Sequence, residues 1–185
     1  MARFSFPILL FAVALLAGCA SGPGPRATAS LADQPYRLDA GDQLRIVVYN
    51  QPELTNIYGV EQAGHISMPL IGDVPARDLT TAELEMRIEA TLARRYLRDP
   101  DVTVEVSARR PFFVLGEVND PGQFPHVPGL TVRAAVATAG GYTARASSRI
   151  VRLTRTTDGE TYEARVGEGE PVLPGDTITA IERLF

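Results

Sequence analysis

The apolar positions of this chain change their spacing several times, and each spacing predicts a different element. Leu44 to Tyr49 is a β-branched, apolar run behind the turn signal Gly41-Asp42, which predicts a buried strand. Shorter strands are expected at Ile57 to Val60 and His65 to Met68. The spacing then becomes helical: Leu84, Ile88, Leu92 and Tyr96 recur every four residues, one apolar stripe to lay against a sheet. Thr80-Thr81-Ala82-Glu83 has the form of a capping box, with Thr80 as N-cap, Glu83 at N3 and Leu79 placed to staple against Leu84. Asp99-Pro100 ends the helix. Val102, Val104 and Val106 next alternate with Thr103, Glu105 and Ser107, a half-buried strand with one wet face.

A second block opens after Arg109-Arg110-Pro111. Phe112 to Val118 predicts a strand, Asn119-Asp120-Pro121-Gly122 a tight turn, and Leu130 to Ala139 a short helix started by Thr131 and stopped by Gly140-Gly141. Strands at Arg149 to Thr154 and Thr161 to Val166 flank an Asp158-Gly159 hairpin turn, and a last strand runs from Asp176 to Ile181. Strands interrupted by one helix in each block make the fold class α+β, with two small mixed domains at 36–108 and 109–185. One short pattern occurs in both blocks, Leu38-Asp39-Ala40-Gly41-Asp42-Gln43-Leu44 and Val172-Leu173-Pro174-Gly175-Asp176-Thr177-Ile178. It reads as reused turn chemistry, a glycine with positive φ and an aspartate that caps the turn, rather than as a repeat.

The N-terminal pattern belongs to processing instead of folding. Arg3 precedes an apolar run from Phe4 to Ala17, too short for a permanent membrane span and suited to a signal peptide over 1–18. The run ends in Leu16-Ala17-Gly18-Cys19, which resembles the bacterial lipobox, so Cys19 is the expected lipidation site. As the only cysteine, it leaves no intramolecular disulfide and no multi-cysteine metal site. Ala20 follows where an Asp would hold an enterobacterial lipoprotein at the inner membrane, so the expected location is the outer membrane. Residues 20–35, rich in Pro, Gly, Ala and Ser, form a tether that spans roughly 20 Å as a coil and roughly 50 Å extended.

Composition narrows the chemistry. The chain has 18 arginines and no lysine, which excludes Schiff-base catalysis and a phosphate-loop lysine, and its net charge of -4 speaks against nucleic acid. From Pro121 to Thr157 there are five arginines, Arg133, Arg145, Arg149, Arg152 and Arg155, and no acid; Asp158 to Asp176 then carries six acids against Arg165. Such blocks are ordinarily solvated strand faces. The sharper alternative is that the arginines contact acidic sugars or a neighbouring protomer's acidic face. His65 and His126 have no second ligand at metal spacing and no nucleophile motif beside them, and both read as structural. Glu83 and Glu85 lie on different faces of the helix and read as solvated surface. The glycines Gly41, Gly116, Gly122, Gly140 and Gly141 are not spaced as a phosphate cradle. With Asp42, Thr80 and Glu83 they are turn and cap residues, and replacing Gly116, Gly122, Gly140 or Gly141 is expected to damage folding. No catalytic residue, cofactor or metal is expected.

Three stretches together resemble a known family. Tyr36 to Leu44, His65-Ile66-Ser67-Met68-Pro69-Leu70-Ile71-Gly72 and the capped helix are similar to the polysaccharide biosynthesis/export domain. Phe113 to Val118, Pro121-Gly122-Gln123-Phe124 and Leu130-Thr131-Val132 through Ala139-Gly140-Gly141-Tyr142 resemble the SLBB module, a β-grasp-like fold named for soluble-ligand binding. With the lipobox ahead of them, their order resembles that of outer-membrane polysaccharide export lipoproteins. The resemblance implies transport of capsular or exopolysaccharide by a homo-oligomeric ring, in partnership with an inner-membrane copolymerase. It places the folded domains in the periplasm on a lipid anchor. Larger members carry a pore-lining C-terminal helix; this chain ends at Phe185 with none after the last strand, so it is expected not to cross the outer membrane alone by that route, and a separate porin is a candidate partner. The competing readings are a monomeric saccharide-binding or sensing lipoprotein and, more remotely, a cell-wall hydrolase.

Overall fold

In the computed structural model, residues 35–157 and 159–183 are described, the side chains of Ser148 and Arg149 excepted. The signal peptide, Cys19, the tether up to residue 34, and Asp158 therefore lie outside the described residues. The fold is α+β, and its apolar residues gather into two separate hydrophobic clusters within the unit Leu31–Phe185.

The first cluster is built by β1 (Gln43–Val48), β2 (Asn56–Gly59), β3 (His65–Met68), β4 (Gly72–Pro75), α1 (Thr81–Ala93) and β5 (Val102–Ala108). β1 is the centre of an antiparallel sheet ordered β2-β1-β5, while β3 and β4 form a separate hairpin. Strand alternation sends Leu44, Ile46 and Val48 from β1 and Val102 and Val104 from β5 to one face, where Leu84, Ile88 and Leu92 of α1 cover them. Helix α1 starts as its sequence dictates. The Thr80 side chain accepts the Glu83 N–H and the Glu83 carboxylate accepts the Thr80 N–H at 2.8 Å. These bonds hold the Glu83 carboxyl below its ordinary range, the Thr80 backbone bond being the main cause. The helix ends at Ala93, earlier than the expected stop at Asp99-Pro100, so Tyr96 lies beyond it and is exposed.

One expectation about this helix is corrected. Glu85 is not solvated surface: its carboxylate accepts the Val104 N–H at 2.8 Å, and Glu89, one turn on, accepts the Val102 N–H at 3.1 Å. The two carboxylates thus satisfy two outward N–H groups of β5, the edge strand of its sheet, and cover the first part of that edge against pairing with another chain. Replacing both with alanine is expected to destabilise the protein by about 1–3 kcal/mol and to promote association, whereas Glu→Gln at both positions keeps an accepting oxygen and most of the stability. Urea midpoints and sedimentation of the two double variants check this.

The second cluster is built by β6 (Phe112–Gly116), β7 (Gly122–Phe124), α2 (Val132–Thr138), β8 (Ala146–Thr157), β9 (Glu160–Val166) and β10 (Thr177–Glu182). The sheet order is β7-β6-β10-β8-β9, with the first and last strands, β6 and β10, parallel at its centre and every other pair antiparallel. A helix crossing one face of such a mixed sheet is the β-grasp arrangement expected from sequence. Val132, Ala135 and Val136 of α2 pack on Phe112, Val114, Val151, Leu153, Ile178 and Ala180. Thr131 caps α2, and the Asn119-Asp120 turn closes its other end by donating from both backbone N–H groups to Gly141 and Ala139 carbonyls.

Candidate functional site

The four candidate arginines whose side chains are described do not form one site. β8 alternates, so Val151, Leu153 and Arg155 face α2 while Arg152 faces the open side of the sheet, in a row with Leu115, Thr179 and Arg165. Arg133 is exposed on α2, on the covered side, and Arg145 precedes β8. Each of these four has a carboxylate partner in the same chain. Arg133 meets Glu168 at 2.9 Å, Arg145 meets Glu182 at 2.5 Å, Arg152 meets Glu163 at 3.8 Å and Arg155 meets Asp176 at 2.7 Å. The basic block and the acidic block of the sequence are therefore largely complementary parts of one module. The Arg149 side chain lies outside the described atoms.

Arg155 is a correction to the candidate contact surface. It is 6% exposed, donates from Nε and Nη2 to the two oxygens of Asp176, itself 1% exposed, and also donates to the Pro171 carbonyl. Burial works against its charge, but the hydrogen bonds and charge of Asp176 outweigh it and hold its pKa above the ordinary arginine value. A cation so engaged is a structural element and does not reach a ligand.

The two Gly-Asp turns share one geometry. Gly41 and Gly175 have φ of 92° and 88°, the left-handed region that glycine enters without penalty. The buried Asp42 carboxylate accepts the Asp39 N–H, and that of Asp176 accepts the Leu173 N–H, each three residues back. Asp42 also accepts the Tyr36 hydroxyl at 2.7 Å; burial and this bond push the phenol's pKa well above its ordinary value. The pattern visible in the sequence is thus a repeated turn with a buried carboxylate, served by a tyrosine in the first module and an arginine in the second.

Of the other glycines assigned to turns and caps, Gly116, Gly140 and Gly141 have positive φ, and Gly122 does not. Gly122 is a strand residue of β7 opposite Val114, so its assignment to the turn is corrected. The histidines occupy ordinary structural surroundings. His65 opens β3 opposite Pro75, and His126 sits edge-on to Phe112 with Nε2 donating to the Val172 carbonyl at 2.8 Å. Burial is the main cause that lowers the His126 pKa. Among the described residues no group of His, Cys, Asp and Glu could hold a metal ion, and no helix is long and apolar enough to cross a membrane.

Comparison with known proteins agrees with this architecture. The polysaccharide biosynthesis/export protein family matches residues 30–107, and the SLBB domain matches residues 111–165. The exopolysaccharide production protein ExoF of Rhizobium meliloti is 36% identical over 141 residues, covering 70% of this chain and 32% of that protein. The EPS I polysaccharide export outer membrane protein EpsA of Ralstonia nicotianae is 32% identical over 148 residues, and its counterpart from Ralstonia solanacearum 35% over 150, each covering 65% of this chain and 39% of the relative. The chain thus spans between about a third and two fifths of the length of these relatives. The two domains in this order, on the two cores described, show that the chain belongs to the polysaccharide export family in which a biosynthesis/export domain is followed by an SLBB domain.

Proposed function

We propose that this protein is the lipid-anchored, periplasmic component of a capsular or exopolysaccharide export machine at the outer membrane, and that copies of it assemble into a ring that guides polymer. The observation that carries this reading is the export domain followed by SLBB, shared with relatives named for exopolysaccharide production and for export at the outer membrane. The mechanism is geometric: the chain supplies walls and contacts, and no bond is made or broken. Its partners in this reading are the polymer, further copies of itself and an inner-membrane copolymerase, with a porin completing the path. Cys19 holds the assembly to the membrane through its acyl chains, since two or more chains anchor stably where one does not.

Among the candidate arginines with described side chains, Arg152 is the one this reading places against acidic sugar or a neighbouring protomer, because it lies on the uncovered face of the five-stranded sheet. Its pairing with Glu163 at 3.8 Å is long and exposed, so little is lost in exchanging that partner. Detergent extraction followed by native mass measurement tests assembly. A mass of many protomers supports the ring, and a monomer in mild detergent returns the protein to the saccharide-sensing alternative.

A further inference from the structure

The three-residue connector Arg109-Arg110-Pro111 joins the two modules, and its middle residue touches the Gly-Asp turn of each. On the first side, the Arg110 N–H donates to Asp42 Oδ1 at 2.9 Å, and its guanidinium lies 3.5 Å from Asp39 and 3.8 Å from the second oxygen of Asp42. On the second side, Arg110 Nε donates to the Pro174 carbonyl at 3.1 Å, and the Gly175 N–H donates to the carbonyl of Pro111 at 3.0 Å. Both turn glycines are needed for this approach as well as for their φ. A Cβ on Gly41 would lie 3.3 Å from Arg110 Cβ, and a Cβ on Gly175 would lie 2.9 Å from Arg110 Nε. The neighbouring Arg109 guanidinium is also engaged, stacked 4.5 Å above the Tyr36 ring, whose hydroxyl serves Asp42.

We propose that Arg110 is a clasp that fixes the orientation of the two modules, its side chain gripped between their two matching Gly-Asp turns. The turn pattern that looked like economical reuse within separate blocks then has a joint purpose: each copy presents acceptors to the same arginine. Arg110 is 22% exposed at its side chain, so water and salt screen these contacts less than they screen a surface pair. A fixed angle between the modules is a property of the single chain and does not depend on what the protein transports.

The test uses the full chain carrying Cys19→Ser, with spin labels at Ala93→Cys on α1 and Gln123→Cys on β7, both exposed positions in different modules. The unmodified connector gives one narrow distance distribution and slow tryptic cleavage after Arg109. Arg110→Ala broadens the distribution and speeds that cleavage by about ten-fold, the order expected from losing one hydrogen bond and the partly screened ion contacts beside it, while far-ultraviolet circular dichroism stays unchanged. Arg110→Lys keeps a positive charge facing Asp39 and Asp42 but lacks the guanidinium fork, so it broadens the distribution to a lesser degree. It also carries the test should the alanine variant fail to fold. An unchanged narrow distribution and an unchanged cleavage rate in the folded variants would overturn the clasp.

Discussion

Replacing Arg155 with alanine lowers the unfolding free energy by about 3–5 kcal/mol, because it strands Asp176 as a buried charge without its counter-ion. The pair lies behind β8 and β10, out of reach of water, and Arg155 supplies both charge-assisted bonds to the carboxylate and a third bond to the Pro171 carbonyl. Removing the guanidinium leaves Asp176 with the Leu173 N–H and strips the segment before β10 of its anchor. Arg155→Lys recovers only part of the loss, since a single ammonium cannot reproduce the two parallel bonds. Denaturant midpoints of the wild type and both variants decide the point; equal stability of Arg155→Ala and wild type would show that the pair contributes nothing net.

Gly116→Ala is expected to cost about 3 kcal/mol or more, from a left-handed L residue and the loss of at least one backbone bond together. Gly116 ends β6 with φ of 82°, and a Cβ there would run into the carbonyl oxygen of Ala180 on the parallel neighbour β10. That oxygen cannot simply withdraw, because it accepts the Glu117 N–H at 3.1 Å. Gly141→Ala is the control: its φ is 83°, but nothing lies within 4 Å of the added carbon, so it bears only the conformational strain, about 1–2 kcal/mol. Thermal unfolding of the two variants side by side separates the collision from the strain. If they lose the same stability, the close approach of β6 and β10 is not what selects glycine at 116.

Elements written in local chemistry are legible in the sequence itself. The capping box at Thr80 and Glu83, the alternation in β1 and β5 and the glycine stop after α2 all depend on neighbours a few residues apart, and they form as expected. β4 has no such signal, because Gly72-Asp73-Val74-Pro75 is poor in strand formers and exists as a strand only by pairing with β3. The sequence pattern predicts six residues for β8, which runs to twelve, since its ends are fixed by partners in both β9 and β10.

The candidate site was less legible for the same reason. Nothing near Arg155 in sequence says that it points inward; that follows from the register that sets it opposite Tyr162 and beside Asp176. The charge blocks are visible in the sequence, but whether they face another molecule or each other depends on how the hairpin folds, and three of the four described arginines meet acids of the 158–176 block. Glu85 and Glu89 could have been suspected from their i,i+4 spacing beside an exposed strand, had the edge position of β5 been known. The doubled Gly-Asp pattern is plain in the sequence, while the arginine joining its two copies shows there only as part of a boundary.

The most direct measurement of the export account is the amount of polysaccharide outside the cell against that retained within, in a strain lacking this gene and in the same strain complemented with wild type or Cys19→Ala. The account predicts loss of secreted polymer in the deletion, full recovery with wild type and weak recovery with the unanchored variant. Secretion undiminished by the deletion would contradict it.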